Sequence, residues 1–330
     1  MKYRVYILDV NDADAIVIKY TKDNERWINA VIDAGNIGDG IKVKQCIGKS
    51  QDGKYHIDYA ICTHPDKDHK GGFFDMLNDN EVDISNISVM DPWEYLEKGD
   101  FTKVRYRENA KNKARSPFNS PDCSSKNLID IAEAKGILQR VHDGYQFPNI
   151  PLLVIGPKED YYKQCVLGMV EHFAELKDEP DIERFDESAF PSEEEARSVI
   201  DEVEDESYTN KSSMVLLFRP NEKMKFLLCG DAASSSLQSI VDNHIDIIKG
   251  CIIKVPHHGS KHNLTTSIID RLSPISAVIS ARGTKKHPNK AIVRWLSKYC
   301  DVFSTHKSGT LIYKSEPSAS PAIPLKEKSS

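Results

Sequence analysis

The stretch Cys62-Thr63-His64-Pro65-Asp66-Lys67-Asp68-His69-Lys70-Gly71-Gly72 follows directly after the largely apolar residues 57–61. It places two histidines and two aspartates within six residues, at the end of a predicted strand. Packing gives no reason for such a cluster, whereas imidazole and carboxylate groups are ligands for divalent cations such as zinc and manganese. The two glycines suit a turn where the backbone passes close to other atoms. The stretch therefore predicts a metal site at a strand end.

Three more polar clusters follow predicted strands later in the chain. Gly230-Asp231 follows residues 226–229, His257-His258-Gly259 comes shortly after residues 251–255, and His287-Pro288 comes shortly after residues 277–280. Any one of them alone is more typical of a loop than of a site. Four strands that each end in a metal-competent residue are hard to explain by packing. We therefore interpret them jointly as one site along a sheet edge.

The length and composition indicate an ordinary soluble globular protein. The chain has 330 residues, which predicts one large or two modest domains, with 39% hydrophobic and 28% charged residues. Its start is too short in apolar length for a signal peptide, and no run approaches the length of a membrane span. The seven cysteines are scattered and never form a CxxC pair. That pattern favours a reducing compartment, so we expect a cytoplasmic location.

The charge is distributed unevenly along the chain. Residues 171–207 hold 16 Asp and Glu but three Lys and Arg, so the net charge of -6 divides into -13 for this segment and +7 for the rest. We interpret the acidic segment as a solvated helix or a flexible loop, with an inhibitory or partner-binding segment as the alternative. The basic remainder is compatible with a polyanionic substrate.

Strands and helices occur in both halves of the chain, which predicts a layered α/β sandwich. The segment 93–210 is long, and it is more polar and less periodic than the rest of the chain. We interpret it as a charged insert within one domain spanning 1–314. The Ser/Pro/Lys-rich residues 315–330 are predicted to form a flexible tail. Other predicted elements include a strand over 84–90, a helix starting near residue 73, and helices over 125–141 and 160–176.

The order of these motifs resembles the metallo-β-lactamase superfamily and, within it, the branch found as the soluble domain of ComEC-type DNA-uptake proteins. The resemblance covers residues 1–90 and 210–313. The motifs that carry it are Ile7-Leu8-Asp9-Val10 with Asp14-Ala15, Val31-Ile32-Asp33-Ala34-Gly35, Thr63-His64-Pro65-Asp66-Lys67-Asp68-His69 with Gly71-Gly72, Leu227-Leu228-Cys229-Gly230-Asp231, Lys254-Val255-Pro256-His257-His258-Gly259-Ser260 and His287-Pro288.

The resemblance implies a four-layer αβ/βα sandwich with one or two divalent metals, Mn²⁺ or Zn²⁺ and possibly Mg²⁺. His64 and Asp66 would hold one metal. Asp68 and His69 would hold the other, together with His257 or His258. Asp231 would bridge the two metals, and Asp33 would orient a ligand histidine through a hydrogen bond. The implied catalytic residues are Asp68, His69 and Asp231.

Two positions depart from the superfamily pattern. Asp66 stands where the superfamily usually has histidine, a change typical of the ComEC-like branch that also favours harder cations such as manganese or magnesium. The usual histidine before the strand at residues 214–218 is replaced by the sequence Tyr208-Thr209-Asn210-Lys211-Ser212-Ser213. We expect the His64 side to be held weakly, and Asn210, Ser212 and Ser213 to face the substrate phosphate.

The remaining predicted substrate contacts lie near the last two motifs. They are Ser260, Arg282, Lys286 and His287. The positive charges of Arg282 and Lys286 would clamp a substrate phosphate; the alternative is that they are ordinary solvated charges of a loop. A stretch that interleaves cations with aromatic residues between 103 and 118 suits single-stranded nucleic acid, although an ordinary exposed loop has the same composition.

These features together predict a metal-dependent phosphodiesterase that acts as a nuclease on DNA. Two alternatives stay open from the sequence. One is a hydrolase of small phosphodiesters such as cyclic nucleotides. The other is a degenerate metal site with a binding or regulatory role.

Overall fold

A computed structural model describes residues 1–22, 26–97, 107–172, 185, 189–202 and 204–315. The cations and aromatic residue predicted at 103–106 lie outside this set, as do much of the acidic segment 171–207 and the tail 316–330. Within the described residues, no helix combines the length and the apolar character needed to cross a membrane.

The described elements alternate between strands and helices along the chain. The strands are β1 (Lys2–Ile7), β2 (Ala15–Thr21), β3 (Ile28–Ala34), β4 (Tyr55–Ile57), β5 (Tyr59–Ile61), β6 (Val82–Ile84), β7 (Ile87–Val89), β8 (Leu138–Arg140), β9 (Leu152–Gly156), β10 (Val215–Phe218), β11 (Phe226–Leu228), β12 (Ile252–Lys254), β13 (Ser276–Ile279), β14 (Val302–Ser304) and β15 (Leu311–Lys314). The helices are α1 (Gly40–Ile47), α2 (Lys67–Leu77), α3 (Arg107–Arg115), α4 (Leu128–Ala134), α5 (Glu159–His172), α6 (Glu193–Ile200), α7 (Tyr208–Lys211), α8 (Ser234–Ile248), α9 (Thr266–Leu272), α10 (Lys290–Leu296) and α11 (Thr305–Ser308).

Two large sheets form the centre of the molecule. The first has the strand order β15-β1-β2-β3-β5-β7-β8 and the second has the order β14-β13-β12-β11-β10-β9. Strands β3, β5, β7 and β8 run parallel to one another, as do β11 to β14. Because parallel strands end at the same edge, the loops after β3, β5, β11 and β12 are brought to adjoining edges of the two sheets.

Three separate apolar cores show that these sheets are stacked between helices. One core lies between the two sheets and includes Ile18 and Phe218. A second packs α1, α2 and α4 on the outer face of the first sheet, with Phe73 among its buried residues. The third packs α6, α8, α9 and α10 on the outer face of the second sheet, around Trp295. The predicted four-layer αβ/βα sandwich is therefore confirmed.

The segment predicted as a polar insert contributes to both sheets. Within residues 93–210, β8 extends the first sheet beside β7, and β9 pairs with β10 at the edge of the second sheet. Helix α5 adds apolar side chains to the core between the sheets. The acidic part also includes an ordinary packed helix, α6, which begins with a capping box formed by Ser192 and Glu195. Docking of a protein partner on this segment stays a prediction.

Three predicted elements are wrong in their bounds. The helix predicted over 125–141 ends at Ala134, because Gly136 adopts a φ of 70° and the chain turns into β8. The strand predicted over 84–90 is two short strands, β6 and β7. Helix α2 begins at Lys67, well before the predicted start near residue 73. This last difference matters for function, because it places Asp68 and His69 in the first turn of a helix.

Gly71 and Gly72 explain how a helix can include these positions. A Cβ atom on Gly71 would lie 2.4 Å from the backbone nitrogen of Ile37, and one on Gly72 would lie 2.1 Å from the carbonyl oxygen of Ala34. Both distances are far inside van der Waals contact, so any other residue would push α2 away from β3. The glycines let the two elements pack closely enough for their polar ends to meet.

Candidate metal centre

Asp33 organises the first part of the site from the end of β3. Its Oδ1 accepts a hydrogen bond from the Thr63 backbone N–H (2.8 Å), and its Oδ2 accepts from Thr63 Oγ1 (2.7 Å) and from His69 Nδ1 (2.8 Å). Thr63 Oγ1 in turn accepts from His64 Nδ1 at 3.0 Å. With Nδ1 bonded in both residues, Nε2 is the atom that His64 and His69 could each offer to a cation. This arrangement matches the orienting role implied for Asp33.

Both of these Nε2 atoms are buried without a hydrogen-bond partner among the described residues. Carboxylates surround them instead. His64 Nε2 lies 3.8 Å from Asp66 Oδ2 and 3.8 Å from Asp231 Oδ2, whereas His69 Nε2 lies 3.4 Å from Asp231 Oδ1 and 3.7 Å from Asp68 Oδ2. Donor atoms that share a metal through bonds of about 2.0–2.1 Å lie about 3.0–3.4 Å apart. One of the four separations falls in this range and the other three are slightly longer, and all four are too long for ordinary hydrogen bonds. The fit to divalent cations therefore rests on the chemistry of the donor set, which combines imidazole nitrogen and carboxylate oxygen atoms.

Asp231 lies between the two histidines at the end of β11. Its Oδ1 faces His69 and its Oδ2 faces His64. The turn that presents it requires Gly230, whose φ is 51°, and the Asp231 backbone N–H donates to Ser213 Oγ at 3.1 Å. One carboxylate oxygen towards each histidine is the arrangement that a carboxylate bridging two cations would need.

The two histidines after β12 point in different directions. His258 Nδ1 donates to the Ser280 carbonyl at 3.0 Å, which leaves Nε2 3.2 Å from Asp68 Oδ2. Asp68, His69 and His258 each offer one donor atom, and these atoms lie within 4.8 Å of one another. His257 Nδ1 instead bonds Asp205 and Asn263. The geometry thus groups His258 with Asp68 and His69 as candidate ligands.

His257 is held by a polar group that sequence reasoning missed. Its Nδ1 donates to Asp205 Oδ2 and to Asn263 Oδ1, each at 3.0 Å, and its backbone N–H donates to Asp231 Oδ1 at 3.1 Å. Asp205 Oδ2 also accepts from Asn210 Nδ2 at 2.8 Å and from Asn263 Nδ2 at 3.0 Å. In the sequence, Asp205 is one acid in an acidic run, so no local signal distinguishes it.

Backbone strain is concentrated at the same place. Asp33, His257 and His258 all have positive φ, at 53°, 47° and 54°. Residues other than glycine rarely adopt this left-handed region, and when they do they cluster at functional sites. The hydrogen bonds described above hold these three residues in that conformation.

Burial and neighbouring charges shift the pKa values of the site's histidines and carboxylates. Burial lowers the pKa of His64 to about 4, and the neighbouring His69 acts in the same direction. Burial also opposes a charge on His69, yet the surrounding carboxylates, Asp231 first, raise its pKa well above the ordinary value. Burial raises the pKa of Asp66 to about 6, with the Asp68 carboxylate adding to the effect. A bound cation would relieve the repulsion among these carboxylates.

The predicted substrate contacts near α7 make hydrogen bonds inside the protein. Asn210 donates to Asp205 as described, Ser212 Oγ donates to the Thr209 carbonyl at 2.6 Å, and Ser213 Oγ accepts from Asp231. Thr209 itself donates a side-chain hydrogen bond to Asp66. These groups border the candidate metal centre.

The other predicted substrate contacts lie around the loop after β13. His287 is buried, and its ring centroid lies 5.6 Å from that of His257; burial and the neighbouring His258 lower its pKa to about 3. Arg282 and Lys286 are exposed on the same loop. Ser260 is buried, and its Oγ accepts from the His262 backbone N–H at 3.3 Å.

Comparison with known proteins gives partial matches. No family model matches the chain. It is 32% identical to ComE operon protein 3 of Bacillus subtilis (strain 168) over 116 residues, which are 34% of this chain and 15% of that protein. The chain therefore spans a small part of the curated relative that it matches. The ComEC-like branch stays a prediction.

Two solved structures resemble the chain along most of its length. A diphosphatase from the PhnP family is 10% identical with a TM-score of 0.42, covering 95% of this chain and 98% of that one. An isothiocyanate hydrolase from Delia radicum gut bacteria is 10% identical with a TM-score of 0.36, covering 94% of this chain and 100% of that one. At these TM-scores the likeness carries no functional assignment.

Proposed function

We propose that this protein is a metal-dependent phosphodiesterase and that its substrate is DNA. The observation that carries the proposal is the position of Asp231, which turns one carboxylate oxygen towards His64 and the other towards His69. Two clusters of nitrogen and oxygen ligands that share a carboxylate are the protein part of a two-metal hydrolytic site.

The chain would hold the cations in two unequal groups. His69, Asp68 and His258 form one group with Asp231 Oδ1, and His64 and Asp66 form the other with Asp231 Oδ2. When bound, such cations lower the pKa of water and stabilise the charge that develops on a phosphoryl oxygen. The many carboxylates in the set favour hard cations, so we expect Mn²⁺ or Mg²⁺ to support activity better than Zn²⁺.

The residues around the ligands would bind and orient the substrate. His257 is fixed by Asp205 beside the ligand cluster, with its side chain 23% exposed. Arg282 and Lys286 add positive charge at the exposed loop after β13. Outside the acidic segment the chain carries a net charge of +7, which suits a polyanion such as DNA because phosphate contacts dominate its binding.

The test is hydrolysis by purified full-length protein with Mn²⁺. Single- and double-stranded DNA would be compared with RNA, with cyclic nucleotides and with bis(p-nitrophenyl) phosphate, using Asp231→Asn as the inactive variant. Asp270→Asn is a matched control, because Asp270 bonds Trp295 and Tyr299 on the outer helices. DNA cleavage lost only in Asp231→Asn supports the proposal. Hydrolysis of small diesters without DNA cleavage contradicts the DNA assignment, and metal binding without any hydrolysis contradicts the enzyme.

A further inference from the structure

A fully buried ion pair lies directly behind the metal centre. Lys254 Nζ, at the end of β12, donates to Asp14 Oδ2 at 2.7 Å and to the Val255 carbonyl at 3.1 Å. Both residues are 1% exposed and they are 240 positions apart in sequence. Lysine is almost never buried so completely unless it is paired. Because desolvation offsets much of the attraction in such a pair, stability alone gives a weak reason for it.

Asp14 is tied to the backbone of two loops that carry site residues. Its backbone N–H donates to the Asp68 carbonyl at 3.1 Å, and its own carbonyl accepts from the Gly35 N–H at 2.8 Å. Gly35 is two residues beyond Asp33, and Asp68 is a predicted ligand. The backbone of Asp14 therefore connects the loop that follows Asp33 with the first turn of α2.

The Asp14 side chain also reaches towards the other sheet. Its Oδ1 is buried without a hydrogen-bond partner among the described residues and lies 3.9 Å from His258 Nδ1. The same carboxylate offers a donor atom within 4.8 Å of donor atoms of His69 and Asp231. An unpaired buried carboxylate oxygen is costly. Asp14 Oδ1 is placed so that its negative charge favours a proton on His258 Nδ1, which leaves Nε2 as the atom that can bind a cation.

We propose that the Asp14–Lys254 pair positions the metal ligands on the His69 side, because it fixes Asp68 and His258, which belong to opposite sheets. Asp68 belongs to the first sheet through α2, and His258 follows four residues after Lys254 at the end of β12. The pair sets the 3.2 Å separation between Asp68 Oδ2 and His258 Nε2. This inference rests on the proposed metal centre, and it names Asp14 and Lys254 as positioning residues.

The test measures Mn²⁺ binding to metal-free full-length protein by calorimetry, without substrate. Loss of a residue that orients ligands typically lowers metal affinity about 10- to 100-fold. We expect that loss in Asp14→Asn and in Lys254→Met. The second variant separates positioning from charge, since removal of a positive charge near the site would by electrostatics alone strengthen cation binding. Lys254→Met protein that binds Mn²⁺ as tightly as wild type, or more tightly, overturns the inference.

A double variant separates positioning from folding. Asp14→Asn/Lys254→Met combines the two single variants, removes both charges at similar volume and leaves no unpaired charge in the interior. We expect its metal-free melting temperature to recover relative to the single variants while Mn²⁺ affinity stays low. Recovery of both quantities contradicts the inference. If the single variants do not fold, this double variant gives the deciding measurement.

Asp58→Asn is the matched control. Asp58 directly precedes β5 in the first sheet, at the end of that strand opposite to the metal centre. Asp58 is also buried, pairs with Arg26 at 2.6 Å and accepts from the Asn29 N–H at 2.8 Å. We expect this variant to lose stability and keep its Mn²⁺ affinity.

Wild-type protein that binds Mn²⁺ but cleaves no phosphodiester would contradict the proposed function and leave this inference standing. Wild-type protein that binds no Mn²⁺ overturns the inference as well.

Discussion

The two halves of the metal centre differ in how firmly the fold holds them. On the His69 side, Asp33, Ser280 and Asp14 support the ligands, and the His258 and Asp68 donor atoms lie 3.2 Å apart. On the His64 side, Thr63 supports His64 and Thr209 supports Asp66. Both carboxylate oxygens there lie 3.8 Å from His64 Nε2, whereas those around His69 Nε2 lie at 3.4 and 3.7 Å. Pre-positioned ligands lose less conformational entropy when a metal binds. The comparison predicts a tight site and a weaker one that share Asp231.

Loss of the shared ligand should have the largest effect. Asp231→Asn removes the charge that both sides use, so we expect Mn²⁺ binding to weaken on both and hydrolysis to fall by about 100-fold or more. Calorimetry and a fluorescent DNA-cleavage assay would measure the two quantities. If one equivalent of Mn²⁺ binds to this variant with unchanged affinity, Asp231 does not bridge the two sides.

Variants on single sides should separate the two binding steps. His64→Asn should remove the weaker equivalent of Mn²⁺ and leave the tighter one within about twofold, because the supporting hydrogen bonds of His69 remain. His69→Asn should remove the tighter equivalent and disturb the weaker one through Asp231. Titration of each metal-free variant with Mn²⁺ measures which of the two binding steps is lost. Equal losses in the two variants would contradict the unequal sides.

The pH dependence of binding should also differ between the sides. The pKa of His69 is raised by surrounding carboxylates, so at neutral pH the metal-free residue holds a proton that the cation must displace. Burial opposes a charge on His258 as well, yet its hydrogen bond to Asp68 raises its pKa. Affinity on the His69 side should therefore rise around neutral pH, by about tenfold per pH unit for each of these two histidines that still holds a proton. On the His64 side, the pKa of His64 is about 4 and that of Asp66 about 6. Affinity there should be nearly flat around neutral pH and fall below pH 6.

Calorimetry in buffers of different ionisation enthalpy would measure the protons released at each step. Release of one to two protons per cation at the tighter site, from His69 and His258, is the expected result at pH 7. Release at the weaker site alone would mean that the two sides are assigned in the wrong order.

The sequence predicted the layers of the fold, and it predicted that the polar strand ends lie together, because both follow from local patterns. Alternating apolar strands that end in polar residues already indicate an α/β sandwich with a site at its edge. The ligands near His64 and His69 are close in sequence, and Asp231 and His258 each follow a strand that pairs in parallel with its neighbour. Once the sheets stack, these strand ends meet without further information.

What the sequence did not predict depends on contacts between distant segments. Lys254 and Asp14 are paired only because the two sheets dock, and Asp205 reaches His257 across 52 positions. The different surroundings of His257 and His258 also needed the backbone: both have positive φ, and their side chains form hydrogen bonds with different partners. The position of α2 also depended on packing, since two glycines inside a helix oppose the local propensity.

The smallest expected effect concerns Asp205, which contacts neither predicted metal group directly. Asp205→Asn weakens a charge-assisted hydrogen bond to His257, a change of about 1.5 kcal/mol or somewhat more. We expect KM for DNA to rise about tenfold, with Mn²⁺ affinity unchanged, because His257 would lose its fixed orientation while His258 keeps its bond to Ser280. Asp201→Asn is the control, since Asp201 lies in the same acidic run but bonds Thr266. A fall in Mn²⁺ affinity in Asp205→Asn would instead make His257 a metal ligand, and the two histidines after β12 would then share that role.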